Sequence, residues 1–308
     1  MTVKSIALVG ANGSLGSVLL TALLAAKPPH GPFTITILQR ESSTSPPTPG
    51  TNLICIPDSF PLDALTAALA NHDAVITAFP LRDVSIHLRI ASAAFAAGVK
   101  RFIPADFGSV DSRSAYAREL VPLFEKKAQV RELLQSLSSQ RADFGWTSLV
   151  VGHFFDWGLG NGFLHFYPDE KRAEILGDGK QKSSLSTLTR VAEAVVKILG
   201  AEDAVYETGM KSRVLMVQSF CVSQLDVLRV LEEVTGEEWT VEWRDTEEFI
   251  REKKGKADAG DKEAIEDLVF ALGVVDGNWE EKRDFAMGLL GLEDEDLEGE
   301  VRKALGVA

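Results

Sequence analysis

Near its start the chain reads Ile6-Ala-Leu-Val-Gly10-Ala-Asn-Gly13-Ser-Leu-Gly16, an apolar run entering three glycines spaced by three residues, and a helix-forming tract continues from Ser17 to Lys27. A buried strand, a glycine turn and a helix N-terminus, in that order, build a site for the pyrophosphate of a dinucleotide. Gly10 serves the tight turn, Gly13 lets backbone approach phosphate, and Gly16 lets the helix pack closely on the strand. The free N–H groups and positive end of the helix face the anion. The whole turn, Gly10, Asn12, Gly13, Ser14, Leu15 and Gly16, is therefore expected to contact the cofactor.

Downstream of this turn, strands alternate with helices. Phe33 to Gln39 is rich in β-branched residues and reads as a second strand ending at Arg40. Asn52 to Ile56 reads as a third strand, Leu62 to Leu69 as a helix, and Ala74 to Ala78 as a fourth strand. Val84 to Ala97 is its crossover helix, ended by Gly98. Arg101 to Pro104 and Trp146 to Val151 read as the fifth and sixth strands. Such alternation predicts an α/β fold with a doubly wound, parallel, Rossmann-type sheet, and ligands bind such sheets at the carboxyl ends of the strands. That rule points to Gly10, Arg40, Ala78, Phe79, Asp106 and the segment from Gly152 onward.

Past residue 156 the alternation stops. Trp157 to Pro168 is rich in glycine and aromatic residues, and Ala173 to Gly179 reads as a strand with a turn. Further elements are expected at Leu188 to Leu199, Arg213 to Val217, Gln224 to Val234, Trp239 to Trp243 and Glu263 to Leu272. The division expected is a dinucleotide-binding domain over residues 1–156 and a smaller substrate-binding part over 157–308 that returns some elements to the main sheet.

Charge limits the partners. Residues 1–150 carry 13 Lys and Arg against 11 Asp and Glu, a net of +2, whereas 151–308 carry 19 against 34, a net of −15. The second part would repel a nucleic acid, while the first still accommodates one anionic cofactor. The acidic run Glu293 to Asp296 reads as a solvated face or a helix start. No segment is long and apolar enough to span a bilayer, and no leader pattern begins the chain, so a soluble cytoplasmic protein away from membranes is expected, as a monomer or homodimer. Cys55 and Cys221 lack metal or redox spacing and read as core thiols.

The end of the second strand selects the cofactor. An acidic residue there suits the ribose hydroxyl of NAD, whereas an arginine accommodates the 2′-phosphate of NADP. Arg40 stands there, succeeded by Glu41 and the hydroxyl run Ser42-Ser43-Thr44, so NADPH is expected with Arg40 and Ser42 among its contacts. A Tyr-x-x-x-Lys pair would supply an acid and a helper lysine, but the single match, Tyr167 to Lys171, contains Pro168 and comes after the sixth strand. It reads as a coincidence. Instead, Leu123, Lys127, Val130 and Leu134 share one face of a helix over Leu120 to Leu134, so Lys127 interrupts an apolar stripe and Lys126 lies at its margin. Desolvation would lower the pKa of such a lysine and suit it to proton donation, or to holding a cofactor ribose; a lysine snorkelling out to solvent fits the same pattern. His153 is a candidate second proton donor or a packed histidine. His30 and His72 read as loop or helix-end residues and His87 as part of a helix. No partner is identifiable for His165, and no metal constellation emerges.

These residues together resemble a family. Gly10-x-x-Gly13-x-x-Gly16, Arg40, Lys100-Arg-Phe-Ile-Pro-Ala-Asp-Phe-Gly108 and Phe124-Glu-Lys-Lys127-Ala-x-Val-Arg131 resemble the NmrA-like atypical short-chain reductases. The nearest branch is that of isoflavone, phenylcoumaran benzylic ether and pinoresinol–lariciresinol reductases. The likeness is specific through about residue 155 and thinner to about 235, including Ile175-Leu-Gly-Asp-Gly179. It implies that Lys127 is the catalytic lysine, that Phe154 packs near the nicotinamide, and that Pro104 to Gly108, with Asp106 and Phe107, lines the cofactor cleft. Two departures bear on substrate: the family's Pro-Ser-Glu-Phe-Gly is Pro104-Ala-Asp-Phe-Gly108 here, and its Asn-x-Phe is Gly152-His153-Phe154.

The resulting expectation is an NADPH-dependent reductase of a small conjugated or aromatic substrate. Phe79, Phe107, His153, Phe154, Trp157 and residues 158–168 would line the substrate cleft, and Lys127 would protonate or stabilise a developing oxyanion. A dinucleotide sensor that binds a protein partner is the alternative. An epimerase or dehydratase is disfavoured by the missing Tyr-x-x-x-Lys pair.

Overall fold

A computed structural model describes residues 2–29 and 31–307, so His30 lies outside the described residues. The chain forms two compact units, one from Met1–Asp106, Leu123–Leu149 and Ala192–Leu215, the other from Phe107–Pro122, Val150–Val191 and Met216–Ala308.

In chain order the first unit contributes β1 (Ser5–Val9), α1 (Ser14–Ala25), β2 (Thr34–Arg40), β3 (Thr51–Ile56), α2 (Leu62–Leu69), β4 (Ala74–Thr77), α3 (Val84–Ala96) and β5 (Arg101–Ile103). After α4 (Ala115–Leu120) come α5 (Pro122–Gln140) and β6 (Gly145–Val150). Parallel sheets are covered on both faces, and the strands show it: every residue of β4 and β6 is buried, and so are four of the five in β1. Further along come β7 (His153–Phe154), α6 (Phe155–Asn161), β8 (Phe166–Tyr167), β9 (Arg172–Leu176), β10 (Lys182–Ser186), α7 (Leu188–Gly200), a short α8 (Asp203–Val205) and β11 (Arg213–Met216). The seven-stranded sheet has the order β11-β6-β5-β4-β1-β2-β3, and its pairs from β3 to β6 are parallel. The chain therefore steps outward one way through β2 and β3 and the other way through β4, β5 and β6. The reversal falls between β1 and β4, where doubly wound sheets bind ligands.

The remaining elements are β12 (Phe220–Ser223), α9 (Gln224–Thr235), β13 (Thr240–Arg244), α10 (Thr246–Asp258), α11 (Lys262–Asp276), α12 (Met287–Leu290) and α13 (Leu297–Leu305). Two three-stranded sheets, β12-β10-β7 and β13-β9-β8, organise the second unit. Its main core gathers Phe155, Leu159, Phe166, Ile175, Leu231 and Trp239. Among the described residues, no helix is long and apolar enough to cross a membrane.

Several local expectations change. Helix α1 starts at Ser14 rather than Ser17, directly off the glycine turn, and ends at Ala25 because the chain must be extended ahead of Pro28. The helix expected over Leu120 to Leu134 is two helices broken at the extended Val121, and Pro122 opens α5, where its missing N–H costs nothing. Cys221 is buried, but Cys55 is exposed on the edge strand β3 and is not a core thiol. The acidic run is neither simply solvated nor only a helix start. Asp296 caps α13, Asp294 accepts from Gln218 Nε2 at 3.1 Å, and Glu295 accepts from Thr187 Oγ1 at 3.1 Å.

Candidate active site

The glycine turn and the ends of β1, β2 and β4 border a cleft of about 520 Å³. Gly10, Asn12 and Gly13 line it from the turn, Ile37, Leu38 and Arg40 from β2, and Ala78, Phe79, Arg82 and Asp83 from the segment after β4. The three glycines differ physically. Gly10 has φ +96°, and a Cβ there would lie 2.7 Å from the Ala78 carbonyl oxygen. A Cβ on Gly16 would lie 1.9 Å from the Gly10 carbonyl oxygen. At Gly13 the nearest protein atoms would be 3.7 Å away, so the fold itself does not require a glycine there. Gly13 is also the N-cap of α1 and supplies no side-chain cap, which leaves the first N–H groups of the helix for a ligand.

Of the other turn residues, Ser14 and Leu15 form the first turn of α1, and neither lines the cleft. Ser42 is also displaced. Its N–H donates to Asp58 Oδ1 at 3.0 Å and its hydroxyl to Asp58 Oδ2, and that hydroxyl holds the Asp58 carboxyl below its usual range. Ser43 and Ser45 face the cleft in its place. Phe60, Arg82 and Asp83 were not anticipated; the signal for the last two was their position just past the fourth strand. Phe79 stacks between Phe60, with ring centroids 6.2 Å apart, and His87, at 4.1 Å. Burial pushes His87 down to about 4, so a neutral imidazole backs the aromatic wall.

Helix α5 is tied to this cleft near its start, where Lys126 Nζ donates to the Arg82 carbonyl at 2.7 Å. Lys127 points inward and is 7% exposed. Its ammonium donates to the Asp106 backbone carbonyl at 2.5 Å and lies 3.8 Å from Asp106 Oδ1. Arg131, one helical turn on, and Ser148 on β6 both donate to Asp106 Oδ2, and Arg131 Nε also reaches Ser148 Oγ at 3.1 Å. Asp106 was expected to face the cofactor; its buried carboxylate turns instead to these two donors and to Lys127. Burial lowers the Lys127 pKa below the ordinary lysine value, Asp106 opposes that shift and Arg131 adds to it. An ammonium destabilised in this way gives up a proton more readily than an ordinary lysine.

Phe107, His153 and Phe154 belong to the second unit. Phe107 is buried in the left-handed region at φ +34°, beside Gly108, which bridges to Val150. Phe154 is partly exposed on β7, paired with Ser186 of β10. His153 is buried, its Nε2–H donating to the Val269 carbonyl at 3.1 Å, and a Cβ on Gly273 would lie 2.1 Å from its ring. Burial pushes it down to about 4, so it is neutral at physiological pH and placed as a packed histidine rather than as a proton donor. Tyr167 and Lys171 do not share a helix: Tyr167 ends β8, and Lys171 stands after a tight 3₁₀ turn at φ +48°.

His165 has partners that lie far off in sequence. Nδ1 meets Glu174 at 2.8 Å and Nε2 meets Asp267 at 3.2 Å, while Arg244 and Lys253 bind the outer oxygens of those carboxylates at 2.7 Å each. Burial works against the charged imidazole, but hydrogen bonds to Asp267 and Glu174 outweigh it, and the pKa is raised. A raised folded pKa stabilises fully below the unfolded value near 6.5, and that stability disappears as pH rises through the folded pKa. His87 and His153, with lowered values, act oppositely and cost stability as pH falls from about 6.5 towards 4. Denaturation midpoints should therefore fall on the alkaline side as well as the acid side, and His165→Gln should flatten the alkaline limb; because His165 also holds the Glu174 and Asp267 carboxyls below their usual range, the acid limb should soften with it. An unchanged alkaline limb in that variant would show that His165 is not the group responsible.

Comparisons with known proteins agree with this architecture. The NmrA-like family matches residues 2–243. Oxidoreductase aprR of Aspergillus flavus is 33% identical over 252 residues, which cover 82% of this chain and 80% of that protein. A crystal structure of isoflavone reductase superposes with a TM-score of 0.76 at 19% identity, over 97% of this chain and 98% of that one. The complex of Vitis vinifera leucoanthocyanidin reductase with NADPH gives a TM-score of 0.75 at 15% identity, over 98% and 99%. At these identities the solved structures share the fold.

Proposed function

The chain belongs to the NmrA-like family, and on that premise we propose that it is an NADPH-dependent reductase of a small conjugated or aromatic substrate. The observation that carries this reading is the open side of Gly13 at the uncapped start of α1, in a cleft that also holds Arg40. The pyrophosphate would be held by the N–H groups of that turn, and the 2′-phosphate by Arg40 with the hydroxyls of Ser43 and Ser45. Bound NADPH supplies the hydride. Lys127 delivers a proton to the developing oxyanion or holds it by hydrogen bonding, directly or through a water. Residues 1–156 bind the cofactor in this reading and 157–308 supply most of the substrate surface, which begins with Trp157, while Phe107 and Phe154 add apolar surface from ahead of that boundary. Support comes from the oxidoreductase named among the relatives and from the reductases that share the fold, one of them in complex with NADPH. His153 is not assigned a proton-transfer role.

The test is oxidation of NADPH in the presence of a panel of aromatic aldehydes, ketones and conjugated enones, with the products then identified. Turnover of one class carries the proposal. Tight NADPH binding without turnover, together with nucleotide-dependent capture of a protein partner, would favour a sensor instead. The cofactor assignment has its own expected result. Arg40→Ala should weaken NADPH by roughly tenfold to a hundredfold, as for loss of a hydrogen bond to a charged group, and leave NADH almost unaffected. Equal weakening of both dinucleotides would remove Arg40 from the 2′-phosphate.

A further inference from the structure

The buried cluster around Lys127 contains one more cation than the chemistry of a proton donor requires. Two guanidinium or ammonium groups, Lys127 and Arg131, stand one helical turn apart on α5 and share a single carboxylate, Asp106. They do not share it equally. Arg131 Nε and the Ser148 hydroxyl both bind Oδ2, whereas Lys127 Nζ stays 3.8 Å from Oδ1 and places its hydrogen bond on the Asp106 backbone carbonyl. All four residues are buried, with Lys127 at 7%, Arg131 at 6%, Asp106 at 5% and Ser148 at 0% exposure, so solvent does not screen the competition.

We propose that Arg131 is a positioning residue for Lys127: by holding the Asp106 carboxylate through Oδ2 it keeps Oδ1, which has no hydrogen-bond partner among the described residues, 3.8 Å from the ammonium and short of a tight ion pair, and so leaves Lys127 held by one carbonyl and able to give up its proton. This rests on the reading of Lys127 as the proton donor. A lysine that owned the carboxylate outright would be held protonated and would be a poorer acid. Arg131 prevents this in two ways, by neutralising Asp106 and by repelling the neighbouring ammonium. The charged groups that face Lys127 within this cluster are Asp106 and Arg131, and the adjacent Lys126 is turned to the Arg82 carbonyl. The spacing of the two cations, i and i+4 on one helix, also fixes their geometry, since neither can leave the shared face.

The test is a titration of Lys127 in the cofactor-free protein, read from the ¹³Cε resonance assigned through its disappearance in Lys127→Met. Arg131→Gln should move the Lys127 midpoint upward by at least about one pH unit, while Arg131→Lys, which keeps a cation on Asp106, should leave it near the wild-type value. Arg131→Met, which removes the same charge but keeps the buried stem, should move it in the same direction and serves if Arg131→Gln fails to fold, while Asp106→Asn removes the attraction and should move the midpoint downward. In turnover, the acid-side to alkaline-side balance of the kcat profile should shift upward in Arg131→Gln with the titration. A purely structural brace would lower stability in these variants without moving the midpoint, and an unmoved midpoint overturns the inference. Because the titration needs no substrate, a shifted midpoint with turnover indifferent to Lys127 would uphold the coupling and reject the proton-donor reading separately.

Discussion

Replacing Lys127 by methionine is expected to lower kcat by about 10²- to 10⁴-fold, the range for loss of a positioned general acid, with little change in NADPH affinity. Methionine keeps most of the buried volume and removes only the charge. Asp106 retains Arg131 and Ser148 as donors, so no buried carboxylate is stranded and the variant should fold. Steady-state kinetics beside a direct NADPH titration separates the two roles the sequence leaves open. A fall in kcat alone fits proton transfer, whereas a parallel fall in cofactor affinity fits a lysine that mainly holds the ribose. Unchanged turnover would remove Lys127 from the chemistry.

Gly16→Ala should be the most disruptive small substitution in the cofactor cleft. The added methyl would overlap the Gly10 carbonyl oxygen at 1.9 Å and the Gly10 carbonyl carbon at 2.9 Å, and backbone cannot rotate out of the way as a side chain can. The cost should reach the upper end of ordinary overpacking, about 3 kcal/mol, and any turn that relaxes to accept it would lose NADPH by more than about a hundredfold. Gly13→Ala is the informative contrast. Its backbone, at φ −80° and ψ 170°, suits alanine, and nothing in the protein stands closer than 3.7 Å, so stability should stay within about 1 kcal/mol of wild type. Cofactor binding should nonetheless fall by about tenfold or more, because the methyl enters the space where phosphate approaches. Thermal melts and NADPH titrations of the two variants measure this split. A Gly13→Ala protein that binds NADPH normally would mean that the glycine serves only the turn.

Much of the first unit was legible because its signals are local. The runs at Ile6, Ile35 and Ala74 are continuous and apolar, as strands buried on both faces must be, and Lys127 stood out because it breaks a stripe that neighbours of its own helix define. Boundaries were less legible: α1 begins three residues early because Gly16 packs inside the helix and does not precede it. In the second unit, α6 was missed because two glycines in seven residues hide it, and packing of Phe155 and Leu159 overrides that weak propensity. Helix α10 was missed although Asp245 caps it and Glu252 pairs with Lys256 one turn on, since a mostly charged tract presents little apolar period. The partners of buried charges were beyond reach for a different reason. Asp106 meets Ser148 from 42 residues away and His165 meets Asp267 from 102, and no local pattern encodes such pairings. Ser43 and Ser45 replaced Ser42 at the cleft because two hydrogen bonds turn Ser42 to Asp58, which no local pattern anticipates either.

The cleft at the start of α1 is expected to bind NADPH and to prefer it to NADH. Titrating each dinucleotide into the purified protein, while monitoring nicotinamide fluorescence, measures this without any knowledge of the substrate. Saturable binding of both with NADPH at least about tenfold tighter is the result expected from Gly13, Arg40 and the two serines together. Failure to bind either dinucleotide, or tighter binding of NADH, would contradict it.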